Sequence, residues 1–229
     1  MRHHFRRLQT SPLDSPVAHA RHTALRVISK WYITTIPLTF SIMPEHVNQL
    51  PLSAPRYCDV PFAPYRFVPG RHPHPTAHPD GHSYLPPGES EPPVPFVPPE
   101  RWFDSEAYLE GVDCYNHGFW WEAHEAWEGL WHVVPNPSSQ RSFLQGAIQV
   151  SALHLQAFLG KRNGIIRLHD SSRRHFANVE VPDDGAFMGV AWVDWLTAVD
   201  GYVEVLLRDD PVRHEPEQFP YLVLQTDGR

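Results

Sequence analysis

Residues 116–132 read NHGFWWEAHEAWEGLWH and gather four of the chain's eight tryptophans, three histidines and three glutamates into seventeen positions. The stretch reads as one buried helix, with Asn116, His117 and Gly118 punctuating its start and Pro135 and Pro137 closing it. At about 100° per residue its two long sides separate. Phe119, Ala123, Ala126 and Leu130 make one side, small and apolar. His117, Trp120, Trp121, His124, Glu125, Trp127, Glu128, Trp131 and His132 make the other. A helix apolar on both sides belongs inside a bundle. Carboxylates and imidazoles held among tryptophans then need partners, because an unpaired buried charge is very costly.

His124 and Glu128 lie four residues apart, so their side chains stand one turn apart on one face. Such a pair suits a divalent metal taking nitrogen and oxygen ligands. It equally suits a hydrogen-bond network with neighbouring helices, and spacing alone leaves both readings open. HEAWE approaches the zincin pattern HExxH, but Glu128 stands where the second histidine would be. That exchange favours harder ions, manganese or iron, over zinc. One helix supplies two or three ligands at most, so a complete site needs a group from elsewhere.

The run from His124 to Trp131 resembles the signature of the bacterial and archaeal domain-of-unknown-function family numbered 309: a histidine, three residues, a glutamate, two residues, then tryptophan or tyrosine. Asn116, Gly118, residues 119–121, Glu122 and Ala123 resemble the family's lead-in, and residues 143–149 and 162–164 its next two landmarks. The resemblance covers about residues 103–180. It implies an all-helical domain whose motif has been suggested to bind metal, and it brings no reaction with it.

Of the 25 prolines, 19 precede residue 100, so the two halves of this 229-residue chain cannot share one architecture. Cys58 and Cys114 give neither a disulfide framework nor a CxxC site, which fits a reducing cytoplasm. A formal charge of −7 argues against a nucleic-acid partner. No apolar run is long enough to span a membrane. Residues 1–43 carry six Lys or Arg against one acid, Asp14, and end in an uncharged apolar run broken by Pro37. The expectation there is a disordered extension, either a cationic targeting segment or an over-extended reading frame whose true start is Met43.

Residues 44–101 form a Pro-rich arm, with 16 prolines before residue 101. That density forbids long helices and central strands. An extended, partly polyproline II course is expected, docking Tyr65 and Phe67 against the helices. His72, His74, His78 and His82 in it are either solvated or extra metal ligands. A bundle is expected over residues 102–209, followed by a polar tail at 210–229. Its first helix takes Asp104 or Ser105 as N-cap, and its third runs from Ser138 or Ser139 to Leu159, ended by Gly160. Gln145 and Gln149 on the third helix are placed as supports for Glu125 and Glu128. Asn163 caps a fourth helix that turns His169 inward, as a satisfied core histidine or a third ligand. The fifth helix is set at about residues 187–208.

The chain thus reads as an all-α, five-helix bundle behind a Pro-rich arm. The favoured function is divalent-metal binding (Mn, Fe or Zn) by His124 and Glu128. Glu125 serves as third ligand or catalytic acid/base group, while Trp131 shields the pair from water. Metal-assisted hydrolysis is the reaction class that follows. The competing function is a non-enzymatic structural or interaction domain in which the same residues close a hydrogen-bond network. A small molecule or another protein is the expected partner, and an oligomer is compatible with the sequence.

Overall fold

The computed structural model describes residues 54–212 and 218–226, so the expectation for residues 1–43 lies outside the described residues. The described residues hold five α-helices: α1 (Glu106–Asn116), α2 (Trp120–Val133), α3 (Ser139–Phe158), α4 (Arg162–Phe176) and α5 (Trp192–Leu206). A 3-10 turn at Pro99–Asp104 leads in, and a hairpin of β1 (Ala186–Phe187) and β2 (Val190–Ala191) separates α4 from α5. The all-helical reading therefore holds, with that small sheet added. No helix among the described residues is long and apolar enough to cross a membrane.

Local signals explain most boundaries. Ser105 caps α1 by accepting from the Tyr108 N–H at 3.4 Å, and Ser138 caps α3 by accepting from the Arg141 N–H at 3.1 Å. Gly160 follows α3 at φ 65°, the left-handed backbone that glycine adopts without strain. Elsewhere the boundaries differ from expectation. The turn expected at 116–118 begins one residue later, since Asn116 still belongs to α1; His117 turns its Nδ1 back onto the Asp113 carbonyl at 2.8 Å and Gly118 reverses the chain. Lys161, not Asn163, is the N-cap residue of α4. The last helix starts at Trp192 because Met188 and Gly189 both adopt positive φ and fold 186–191 back on itself. The apolar run there carries no period that separates a tight hairpin from a helix.

The first four helices pack in sequence as neighbours, α2 lying between α1 and α3. The core is aromatic: Tyr108, Tyr115, Trp127, Phe143 and Tyr202 are all buried, with Trp127 fully so. Trp127 donates its Nε1–H to the Tyr108 carbonyl at 3.2 Å, and a side chain at Gly111 would collide with its indole. Trp131 is less enclosed than Trp127. It is only partly buried, and the Arg141 guanidinium lies 3.7 Å from its ring centre.

The arm and the tail attach through polar side chains of α1 and α2. Asp113, 1% exposed, accepts from the Arg56 Nε–H at 2.8 Å, the Tyr57 N–H at 2.8 Å and the Cys58 N–H at 3.1 Å. Phe67 packs its ring edge-on against Trp121, as expected, and its N–H donates to Glu122 at 2.9 Å. Tyr65 instead serves the arm itself, donating to the Pro73 carbonyl and facing the His72 ring. In the tail, Asn116 makes two 2.8 Å hydrogen bonds with the Leu222 backbone, and the Leu224 N–H donates to the Tyr57 hydroxyl at 2.8 Å.

Two outcomes follow from this packing. Trp127→Ala is expected to cost about 3–5 kcal/mol through cavity formation, and Trp131→Ala clearly less, because Trp131 already meets solvent. Urea unfolding of the two variants side by side checks the order. Asp113→Ala leaves two arm N–H groups and a guanidinium without their acceptor. It is expected to lose about 1–3 kcal/mol and to speed hydrogen exchange around residues 56–58.

Candidate metal centre

His124 rises from the middle of α2, 3% exposed, with Trp121 one turn before it at a ring-centre distance of 5.4 Å. Helical spacing brings two carboxylates to its two ring nitrogens. Glu125 Oε1 lies 3.0 Å from Nδ1, and Glu128 Oε2 lies 3.9 Å from Nε2. One donor atom from each of His124, Glu125 and Glu128 falls within 4.8 Å of the others. The three differ in access. The Glu128 side chain is 9% exposed and that of Glu125 is 36% exposed, so solvent reaches the group along Glu125.

Hydrogen bonding does not close this cluster. Neither ring nitrogen of His124 has an aligned hydrogen-bond partner, the 3.0 Å approach of Glu125 being off-axis, and Glu128 Oε1 has none either. Nearly all buried polar atoms in folded proteins are paired, so these are atoms whose situation needs a cause.

The electrostatics are those of a proton-holding cluster. Burial is the strongest influence on His124 and disfavours its charged form. The adjacent Glu125 and then Glu128 outweigh burial, and the ring titrates above an ordinary histidine. Burial pushes the Glu128 carboxyl up; the His124 charge pulls it down and Glu125 pushes it up again, leaving it raised.

The other sequence-selected residues fall around this group unevenly. Gln149 Oε1 is buried without a hydrogen-bond partner, and Gln145 is partly buried; neither shows a hydrogen bond to Glu125 or Glu128. His169 engages Asp200 of α5 at 2.7 Å and stands apart from the three-residue group. Trp131 lies under Arg141, which also donates to its carbonyl at 2.7 Å. Of the arm histidines, His82 pairs with Glu122 at 2.9 Å and His74 packs on Trp121.

Sequence reasoning passed over Glu122 and Asp113. Their partners are backbone groups and side chains of the arm, more than fifty residues away for Asp113, so helical spacing holds no trace of them. The available signal was an acid on a buried helix with no Lys or Arg one turn away.

No curated protein matches the chain. A family model does: the one described as Domain of unknown function (DUF309) matches residues 108–168. That span runs from Tyr108 in α1 to Leu168 in α4 and takes in all of α2 and α3. Over this stretch the chain is similar to the DUF309 family, the one its sequence resembles.

Proposed function

We propose that the helical domain binds a divalent metal ion through His124 and Glu128, with Glu125 as third ligand or as an acid/base group. The observation that carries this is the gathering of one donor atom from each of His124, Glu125 and Glu128 within 4.8 Å, with His124 Nε2 and Glu128 Oε1 buried and without a hydrogen-bond partner. An ion supplies what no neighbouring side chain does. The donor set also fits. Donor atoms bonded at about 2.0–2.2 Å lie at most about 4.4 Å apart across an ion, against the 4.8 Å within which these three atoms fall. A small side-chain rotation closes that difference.

A mixed imidazole and carboxylate set favours manganese or iron and still admits zinc. A divalent ion bound there supplies Lewis acidity, which is what metal-assisted hydrolysis requires. The chain's own residues supply the rest. Trp121 and the buried shoulder of α2 shield His124 from water. Glu125, the most exposed of the three, is the group a substrate in solution meets first and the one able to pass a proton outward. The network reading draws on the 3.0 Å approach of Glu125 to Nδ1. It leaves Glu128 Oε1 and Gln149 Oε1 unexplained.

Elemental analysis of purified protein is expected to find near-stoichiometric manganese, iron or zinc that His124→Ala loses. Added metal at about 100 times its Kd is expected to stabilise the wild type by about 2.7 kcal/mol. Metal-free wild type whose melting ignores all three ions sinks the proposal in favour of the network. Glu128→Gln keeps shape and an acceptor but loses the charge. Its apo fold is expected to survive while its metal response disappears; an unaltered response removes Glu128 from the site.

A further inference from the structure

Where the proline-rich arm meets α2, three side chains form a hydrogen-bonded series outside the three-residue metal group. His82 Nδ1 lies 2.8 Å from the Ser83 hydroxyl, and His82 Nε2 lies 2.9 Å from Glu122 Oε1. The His82 and Glu122 side chains are 6% and 9% exposed, whereas Ser83 is half-buried. A hydroxyl, an imidazole and a carboxylate in series, the hydroxyl nearest to solvent, is the order that serine nucleophiles use. Here the ring is turned the less common way, with Nδ1 toward the hydroxyl and Nε2 toward the carboxylate.

A fourth group fixes the protons. The Phe67 backbone N–H donates to the same Glu122 Oε1 at 2.9 Å, so that oxygen is an acceptor. His82 Nε2 therefore carries the proton of the neutral ring, and Nδ1 turns its lone pair to Ser83. The Ser83 hydroxyl donates to it, which is the starting arrangement for general-base removal of that proton.

The loop around these groups is tied down on several sides. The Ser83 N–H donates to the Pro75 carbonyl at 3.1 Å, and the Tyr84 N–H to the Gly81 carbonyl at 3.1 Å. A side chain at Gly81 would collide with the carbonyl oxygens of His74 and Pro75, so only glycine lets the loop close this tightly. Tyr65 presses its ring edge-on against His82 at 4.7 Å and accepts from the His82 N–H at 3.3 Å. Nucleophile and base are thus held together before any substrate arrives.

We propose that Ser83 is a nucleophile activated by His82, with Glu122 positioning the ring, and that the site takes small reactive carboxylic esters. Ser83 Oγ bonds to the ester carbonyl carbon while its proton passes to His82 Nδ1. As the ester C–O bond breaks, that proton leaves with the alcohol, and the acyl group stays on Ser83. Water then attacks the acyl carbon and gives a proton to Nδ1. Release of the carboxylic acid returns that proton to Ser83 Oγ. Glu122 keeps its charge throughout and stabilises the ring while it holds two protons. Nothing in these steps depends on metal binding by His124 and Glu128.

The full chain, held in EDTA, is treated with p-nitrophenyl acetate and, separately, with a fluorophosphonate probe. A burst of p-nitrophenol approaching one per chain is expected, with peptide mass mapping placing the acetyl or phosphonyl group on Ser83. A Ser83 that resists both reagents overturns the proposal and leaves the pair of His82 and Glu122 as a fastener of the arm. Long-range nitrogen–proton NMR is expected to find the His82 proton on Nε2; a proton on Nδ1 overturns the base role. Ser83→Ala is expected to lose the burst while hydrogen exchange of the Phe67 N–H, which reports arm docking, stays as in wild type. A burst that survives in Ser83→Ala overturns the assignment. Glu122→Gln keeps an acceptor for Phe67 but no charge, and is expected to slow acylation about 10²–10⁴-fold. Acylation at the wild-type rate in that variant overturns the part given to Glu122.

Discussion

A helix whose tryptophans point in several directions has to be covered in several directions, and α2 sets that condition for everything around it. Trp127 and Leu130 are fully buried, Trp120 packs against His154 and Phe158 of α3, and Trp121 turns toward the arm. Burying a large aromatic side chain contributes about 1.5–3 kcal/mol, so leaving Trp121 to water would forfeit a sizeable share of a small domain's margin of stability. The arm meets this need. Phe67 and His74 close over Trp121, and the tail residue Phe219 lies alongside Trp120.

Irregular segments packed on helices carry a second cost, because their backbone N–H and C=O groups have no ladder to join. Here polar side chains from the helix ends take the place of that ladder. Asp113 gathers the N–H groups of two successive arm residues, and Asn116 pairs with both polar groups of Leu222 as a neighbouring strand would. Tyr115 and Trp195 both donate to the Pro220 carbonyl. The buried acids and amides of α1 are thus fasteners for the segments that flank the bundle.

The helices were legible in the sequence where periodicity carried the information. Trp120, His124, Trp127 and Glu128 recur at helical spacing, and that spacing brings His124, Glu125 and Glu128 together without help from any other element. What escaped was set by contacts between distant residues. Nothing local says that Asp113 will hold Tyr57, or that Asp200 on α5 will take His169. The hairpin at 186–191 escaped for a different reason: two consecutive positive φ values override an apolar run that suits a helix.

The hydrogen bond from the Leu224 N–H to the Tyr57 hydroxyl joins residues 167 positions apart. Contacts between consecutive helices close short loops, whereas this one closes nearly the whole described chain, and long loops close late. On the ribosome the arm emerges before the helices it covers, and the tail after all of them. Tyr57 and Phe67 must therefore wait, uncovered, while the surface that receives them is made. The prolines around them serve that interval well: a segment unable to form central strands is a poor template for the intermolecular pairing that exposed aromatic chains otherwise invite.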